Sequence, residues 1–449
     1  MLTKVLVANR GEIACRIIRG CKSLGIRTVA IYSEADASAL HVSLADEAVP
    51  AGPSPVAQSY LRADHIVELA KSVDADAIHP GYGLLSENAN FARLCRDAGL
   101  VFVGPPASAI EEMGSKVSAR AMAARAGIPV VPGTAGAVES AQEAAEAARL
   151  IGFPVMLKAS AGGGGIGMVT AYDEEALLQA FESSVKRVKS YFGDGTMYVE
   201  KYIPRPRHVE IQILADTHGN ALHFGERECS IQRRHQKIVE EAPSSAVTPE
   251  LRERIGGSAL RLVQELGYTG VGTVEFLLDE DGQYYFLEMN TRLQVEHPVT
   301  EEAYGVDLVE WQLRVAAGEQ LAPELFGREP ARHAIECRIC AEDPVRFLPS
   351  PGLVTTLRLP EGAGIRQEIG IREGDFITPY YDPMFAKMIV SGATRDEACA
   401  RMAEALDRYE VAGVKSNIPL LSSIIRDEEF LRGNTHTSFL RERGLTSSV

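Results

Sequence analysis

The chain has 449 residues, with 61 acidic against 46 basic side chains and a formal net charge of −15. That balance speaks against a general nucleic-acid binder and against a basic membrane-surface protein, both of which need positive charge. Hydrophobic residues make up 45% and charged residues 24%, proportions of a globular protein with a sizeable core, and the length suits about three domains.

In chain order, residues 4–8 (KVLVA) read as a buried strand, Asn9-Arg10-Gly11-Glu12 as a turn, and Ile13, Ile17 and Ile18 as the apolar stripe of a helix. A second strand follows at 28–32, then the acidic turn Ser33-Glu34-Ala35-Asp36, then Ala77-Ile78 into His79-Pro80-Gly81-Tyr82-Gly83, and Leu100 to Val103 into Gly104-Pro105. Strand, loop and helix recur at the spacing of a doubly wound parallel sheet, with ligand positions expected at the strand C-terminal ends. The first turn lacks G-x-G-x-x-G, so a dinucleotide site has little support.

Residues 1–114 are thus expected to form an α/β domain and 115–130 a helical linker, broken by Pro129. A separate lobe is expected over 131–203: strand 154–158, a glycine run at 162–167, strand 168–170, helix 174–190 and strand 196–201. The remainder, 204–449, reads as a mixed α+β region. Its strands are expected near 209–215, 271–278, 284–290 and 333–340, and its helices near 249–266, 305–317 and 395–409. The C-terminal part is expected at about 333–440.

Seven scattered cysteines, an odd number, speak against a disulfide framework and for a reducing compartment. Cys337 and Cys340 have C-x-x-C spacing, yet one pair supplies too few ligands for structural zinc. The N-terminus lacks a signal-peptide core and no apolar run approaches a spanning length, so a cytoplasmic location is expected.

The run Gly162-Gly163-Gly164-Gly165-Ile166-Gly167 costs backbone entropy unless its bare N–H groups approach a ligand, and successive N–H groups suit phosphate oxygens. Lys158, ending an otherwise apolar strand, reads as a buried amine without a partner, which a polyphosphate would supply. Lys116, after Gly114-Ser115, is a weaker case of the same kind. Tyr198-Val-Glu200-Lys201-Tyr-Ile203-Pro204 ends a strand at a hinge, where backbone groups suit a purine edge.

The most informative stretch is 273–296. Asp281-Gly282 between two strands predicts a two-residue turn, which places Glu275 opposite Glu288, about 5 Å apart at Cβ. Two like charges there call for a bridging cation, and two carboxylates with Asn290 are hard oxygen ligands suited to Mg²⁺ or Mn²⁺. Glu288, Asn290, Arg292, Gln294 and Glu296 then recur at period two, so an extended backbone would aim all five one way. Arg292 matches a planar anion such as bicarbonate, and Glu296 beside it suits a general base. Gln232-Arg233-Arg234-His235-Gln236-Lys237 reads either as a solvated basic patch or as an anion site. In 333–340, Glu336, Arg338 and Cys340 share a face that Cys337 does not.

Together these segments resemble the biotin carboxylases of the ATP-grasp superfamily. The resemblance is carried by Ala8-Asn9-Arg10-Gly11-Glu12-Ile13-Ala14, His79-Pro80-Gly81-Tyr82-Gly83, Lys158-Ala-Ser-Ala-Gly162, Glu226 to Lys237, Glu288 to Pro298 and Tyr380-Tyr381-Asp382-Pro383-Met384, and it runs from residue 3 to about 440. It implies an ATP-grasp fold with an N-terminal Rossmann-like parallel sheet, a mobile lid at 131–203 and a C-terminal mixed domain.

The resemblance also implies roles. Lys116, Lys158, His208 and the loop glycines Gly163, Gly164 and Gly165 would contact ATP phosphates, with Glu200, Lys201 and Ile203 at the adenine. Glu275, Glu288 and Asn290 would hold two Mg²⁺ or Mn²⁺ ions. Lys237, Arg292, Gln294 and the Val295 backbone would hold bicarbonate, which Glu296 deprotonates for attack on the γ-phosphate. The resulting carboxyphosphate yields CO₂, and Arg338 would stabilise the biotin ureido oxyanion, with Tyr82, Gln232 and His235 around the biotin pocket. Biotin would arrive on a separate carboxyl carrier protein, since no Ala-Met-Lys-Met segment is present. A carboxyltransferase would pass the carboxyl group to acetyl-CoA, propionyl-CoA or pyruvate. A homodimer or larger carboxylase complex is implied, without nucleic acid or membrane.

Three positions depart from the family pattern: Ile166 and Val169 replace common basic residues, and Cys340 replaces a frequent asparagine. Another ATP-grasp carboxylate or carbamoyl-type ligase would share the lid and metal carboxylates but not Arg292, Gln294, Glu296 and Arg338. A non-catalytic nucleotide-binding component of a carboxylase complex is the remaining alternative.

Overall fold

The computed structural model describes residues 2–134, 136–159, 168–192 and 195–446. Five parallel strands open the chain: β1 (Lys4–Val7), β2 (Arg27–Ser33), β3 (Glu47–Gly52), β4 (Ala77–His79) and β5 (Val101–Phe102), in the order β3-β2-β1-β4-β5. The Val, Ile and Leu side chains of the three central strands β2, β1 and β4 are buried because helices cover both faces, as a parallel sheet requires. The helix Gly11–Ser23 buries Ile13, Ile17, Ile18 and Cys21. Past β1, Asn9 donates from Nδ2 to the carbonyls of Pro80 (2.7 Å) and Tyr82 (2.8 Å), locking together the loops after β1 and β4. Gly81 is needed there: at φ 65°, any Cβ would lie 3.0 Å from Asn9 Nδ2.

Helices Ala107–Gly114 and Lys116–Arg125 lead out of this unit, the second capped by Ser115, which accepts from Ser118 N at 3.3 Å. Three antiparallel strands follow: β6 (Val155–Ala159), β7 (Val169–Ala171) and β8 (Met197–Lys201), in the order β7-β6-β8. They pack on helices Ala141–Ile151 and Glu174–Phe192 around Leu157, Leu177 and Val199, within a core of their own. The strands lie within a residue or so of their expected places. The glycine run, with Gly163, Gly164, Gly165 and Ile166, lies outside the described residues. Val169, half-buried, pairs with Leu157.

The rest of the chain builds an eight-stranded antiparallel sheet. It consists of β9 (Arg207–Ala215), β10 (Ala221–Arg233), β11 (Gln236–Ala242), β12 (Gly270–Leu278), β13 (Tyr284–Asn290), β14 (His333–Cys340) and the strands Ile365–Ile369 and Met384–Gly392. The order is β13-β12-β9-β10-β11-β14, then Met384–Gly392, then Ile365–Ile369. β10 and β11 go beyond the strands expected from the sequence. Their residues are rich in Glu and Arg, yet Glu226, Arg227, Glu228, Glu240 and Glu241 are all buried, because each meets a side chain of opposite charge from another element: Arg252, Glu210, Arg207, Arg338 and Arg395 respectively. The basic segment Gln232–Lys237 is therefore a tight β10–β11 connection, with Arg234 and His235 at φ 50° and 65°.

Two local expectations need correction. The β12–β13 turn is not the two-residue Asp281-Gly282 but a three-residue loop, closed by Asp279 N to Gln283 O at 2.9 Å with Gly282 at φ 73°. Near it Phe276 pairs with Phe286; a bulge at Leu287 then restores the predicted register, so Glu275 does stand opposite Glu288. Nor is 288–296 extended throughout. β13 stops at Asn290, and the chain bends through Thr291–Gln294 into the helix His297–Tyr304. Glu296 caps that helix at φ −82°, ψ 10°, so convergence of these residues rests on a turn rather than on strand alternation.

All seven cysteines are free and buried, and neither Cys337 nor Cys340 joins an ion-holding cluster among the described residues. No helix among the described residues is long and apolar enough to cross a membrane.

Candidate active site

The floor of the cleft is laid by β9, where His208, Glu210 and Gln212 alternate with the core residues Val209, Ile211 and Ile213. At its centre Lys237 Nζ lies 2.5 Å from Glu210, 2.8 Å from Glu275 and 2.7 Å from Glu296. Behind them Arg227, fully buried, donates Nε to Glu210 (2.5 Å) and Nη2 to Gln294 Oε1 (2.8 Å) and Thr273 (3.1 Å), with further bonds to Gln212 and Thr300. Burying this many charges is tolerable only because each is paired.

Those pairings fix the protonation states. Burial disfavours a charged Lys237, but the three carboxylates outweigh it and raise its pKa well above the usual range. Burial also opposes ionisation of Glu296, yet Lys237, Arg338 and Arg227 hold its pKa well below the usual carboxylate range. Glu275 is likewise held low, against burial, by Lys237 and His208. Glu288 goes the other way: the charge of Glu275 opposite, then burial, push it up, with His208 and Lys116 acting against them.

That repulsion across the hairpin is the observation against which a divalent cation can be tested. A cation between Glu275 and Glu288 would remove it, and the donors are hard oxygens, so the residues fit. Asn290 is close by, donating Nδ2 to Glu275 at 2.8 Å. His208, Glu210 and Glu275 also offer ligand atoms within 4.8 Å of one another, but Glu210 is already occupied by Arg227 and Lys237. His208 lies with Nε2 2.9 Å from Glu275 and Nδ1 2.9 Å from Gln232 Nε2. Burial lowers its pKa, but Glu275 overrides this and raises it.

Beyond Glu275 and Glu288, Arg292 is held by Glu87 (Nε, 2.9 Å) and by Asn290 Oδ1 (Nη2, 2.9 Å). Gln294 donates to Glu275 at 2.8 Å. The Val295 carbonyl accepts from the buried Lys387 at 2.8 Å. Arg338 donates Nε to Glu240 (2.7 Å) and Nη2 to Glu296 (3.0 Å). Glu296 therefore sits between Lys237 on one side and Arg338 on the other. Tyr82 donates its hydroxyl to Glu12, with Lys387 Nζ 5.7 Å from its ring centroid, while His235 is exposed at the β10–β11 connection.

At the lobe, the expectation of a partnerless Lys158 is corrected: its Nζ lies 2.5 Å from Glu200, which also accepts from Arg120. A charged side chain across the β6–β8 pair, not a polyphosphate alone, makes its burial tolerable. Lys201 donates its ammonium protons to the carbonyls of Gly152 (2.8 Å) and Phe153 (3.1 Å). Ile203 is half-buried just past β8, and Lys116 begins the linker helix.

Sequence reasoning missed Glu210, Arg227, Glu240, Lys387, Arg120 and Glu87. The period-two alternation His208, Glu210, Gln212 was a usable signal, of the kind that exposed 273–290. Arg227, between two glutamates, gave none.

Three family profiles match the chain in order. Residues 1–110 match the biotin carboxylase N-terminal domain, 115–324 the carbamoyl-phosphate synthase L chain ATP-binding domain, and 336–442 the biotin carboxylase C-terminal domain. The middle profile alone fits any of several ATP-grasp ligases; the two flanking it decide. The chain belongs to the biotin carboxylase family.

A biotin carboxylase of Halalkalibacterium halodurans is 57% identical over 440 residues, covering 98% of this chain and 97% of that one. Biotin carboxylase 2 of Bacillus subtilis is 53% identical over 442 residues, covering 98% and 100%. Among solved structures, the biotin carboxylase domain dimer of Hydrogenobacter thermophilus 2-oxoglutarate carboxylase, with MgADP, ADP and bicarbonate, superposes with a TM-score of 0.93 at 49% identity over the whole of both chains. The Campylobacter jejuni biotin carboxylase–β-γ-ATP complex gives 0.94 at 42% identity, covering 98% and 99%. The architecture is thus that of the ATP-grasp biotin carboxylases, and the chain is a ligase that carboxylates biotin at the expense of ATP and bicarbonate.

Proposed function

We propose that this biotin carboxylase works with the following division of labour. Glu275 and Glu288, with Asn290 beside them, hold one or two Mg²⁺ or Mn²⁺ ions; when bound, the metal neutralises charge on the ATP phosphates. Lys116, Lys158, His208 and Gly163 to Gly165 bind those phosphates, and Glu200, Lys201 and Ile203 lie at the adenine. Lys158 must then exchange Glu200 for phosphate oxygens. The lobe 131–203 closes over the nucleotide, between an N-terminal domain at 1–114 and a C-terminal part at about 333–440, and shields carboxyphosphate from water.

Lys237, Arg292, Gln294 and the Val295 backbone orient bicarbonate. Glu296, an anion at neutral pH by virtue of Lys237 and Arg338, takes the bicarbonate hydroxyl proton as its oxygen attacks the γ-phosphorus and ADP leaves. Carboxyphosphate then breaks its C–O bond to give CO₂ and phosphate. The phosphate removes the N1′ proton of biotin, Arg338 balances the negative charge growing on the ureido oxygen, and N1′ attacks CO₂. Tyr82, Gln232 and His235 border the biotin. The biotin rides on a carrier protein or domain, a carboxyltransferase receives the carboxyl group, and the chain acts as a homodimer or within a larger cytoplasmic carboxylase assembly.

The observation that carries this reading is the placement of Glu296 between Lys237 (2.7 Å) and Arg338 (3.0 Å), one base flanked by the cations of two successive steps. Glu296→Gln should cut bicarbonate-dependent ATP turnover by about 10²-fold or more, the range for a lost general base, while leaving ATP binding by calorimetry in place. Arg338→Ala should impair carboxylation of free biotin more than bicarbonate-dependent ATP cleavage. Equal losses in both reactions would remove Arg338 from the biotin step.

A further inference from the structure

Behind Arg338 lie two buried carboxyl groups with no role so far. Glu240 on β11 and Glu336 on β14 are direct register partners in the antiparallel ladder, which puts their side chains about 5 Å apart at Cβ. Both are buried, Glu336 completely. Neither oxygen of Glu336 has a hydrogen-bond partner, nor does Glu240 Oε2; only Glu240 Oε1 is engaged, by Arg338.

Every cation nearby is committed to another carboxylate. Arg338 bonds Glu240 and Glu296, Lys237 bonds Glu210, Glu275 and Glu296, and Lys387 lies 3.2 Å from Glu12 while donating to the Val295 carbonyl. The helix His297–Tyr304, packed over β11 and β14, contributes His297, held uncharged by burial, and Glu301, paired with Arg16 and Arg366. On the opposite sheet face Arg395 is taken by Glu241 beside His333, and the thiols Cys337 and Cys399 are neutral by burial.

Glu336 is thus a buried carboxyl group with no contacting cation, facing a carboxylate that has one. Two anions so placed cannot both stay ionised; one proton between them gives an O–H···O bond and leaves a single negative charge for Arg338. We propose that Glu240 and Glu336 share one proton and act together as a positioning pair for Arg338, keeping one rather than two negative charges behind the guanidinium while biotin is carboxylated. Burial chiefly raises both pKa values, and each group raises or is raised by its anionic neighbours, in keeping with a pair that titrates as a unit. Loss of the shared proton at alkaline pH adds a charge that draws the guanidinium back and opposes the oxyanion forming in front of it. This rests on the assignment of Arg338 to the biotin step.

The test is the pH profile of kcat for two reactions of the full chain: carboxylation of free biotin, and bicarbonate-dependent ATP cleavage without biotin. In the wild type the first should fall on the alkaline side while the second holds. Glu336→Gln, uncharged at every pH, should move that alkaline limb upward by a pH unit or more and leave the ATP-cleavage profile where it was. Glu240→Gln should lower kcat for biotin several-fold with little change in KM. Superimposable biotin profiles for wild type and Glu336→Gln would overturn the proposal, as would equal shifts in both reactions. Should Glu336→Gln not fold, infrared difference spectra of the wild type decide. A protonated carboxyl C=O band present at neutral pH and lost on alkaline titration supports the shared proton, and its absence refutes it. Failure here, with Arg338→Ala still selective for the biotin step, would sink the pair alone; loss of that selectivity would sink the assignment beneath it.

Discussion

The floor of the cleft and the lobe at 131–203 are both antiparallel sheets bearing Lys–Glu pairs, yet they are held together differently. On the floor Arg227 and Glu210 are wholly inaccessible, and each meets two or more partners from other elements. The lobe has a separate apolar core that shares no residue with the others. Its shielded charge cluster, Arg120–Glu200–Lys158, sits at the seam. Phe286 N donates to Pro129 O just ahead of the lobe and ties its entry to the floor, while the bonds from Lys201 N to Pro132 O and from Thr134 N to Val199 O lie within the lobe. Fixed dipoles and charges suit a surface that must already match the transition state, whereas a small body with a core of its own suits a cover.

The harshest way to break that contrast is to strike the floor. Arg227→Ala takes from Glu210 one of its two buried cations, leaving Lys237, and strips the buried bonds to Thr273 and Gln294; it should cost about 3–5 kcal/mol of stability, the range for breaking a buried pair, read from urea unfolding. A loss below about 1 kcal/mol would mean that the floor is not held by its ions.

The lobe should respond through substrate affinity rather than through stability. A Cβ on Gly133 would meet Val199 O at 2.7 Å and Glu200 Cγ at 2.9 Å. Gly133→Ala should therefore raise KM for ATP several-fold while shifting the melting temperature of the main body by only a few degrees. A fall of about ten degrees or more in the melting temperature of the main body would make lobe and floor one cooperative unit.

The gentlest probe is acid. Burial lowers the pKa of His41 to about 4. Its folded value lies below the ordinary 6.5, so the stability it allows is present above pH 6.5 and is lost as pH falls toward 4. Glu241 is held down to about 2, against burial, by His333 and Arg395, and Glu368 to about 2 by Arg366 and Arg19. Their contribution is intact above the ordinary glutamate value of 4.5 and drains away toward pH 2. All three lie outside the lobe, so the urea midpoint of the body should decline in two stages. Glu241→Gln should flatten the lower one.

Much of the site was legible because strands announce themselves by parity. The Glu275–Glu288 pairing came out of the sequence even though the turn was one residue longer than its Asp-Gly signature suggested, since the bulge at Leu287 cancelled the error. The same parity rule failed past Asn290, where the chain bends and no hydrophobic alternation marks the bend. It also failed for β10 and β11: composition alone cannot separate a solvated glutamate from one buried against an arginine on a strand far away in sequence. Glu240 and Lys387 owe their burial to such long-range pairing, and Arg120 its place to a lobe that folds back upon the linker.

The joint between linker and sheet carries a last implication. Phe286 N donates to Pro129 O at 2.7 Å, and Val130 bridges Phe286 in parallel, so the pivot of the lobe is riveted to the strand that bears Glu288 two residues on. On the proposed division of labour, a swing of the lobe that strained this rivet would be felt along the very beam that carries one of the two carboxylates meant for the metal.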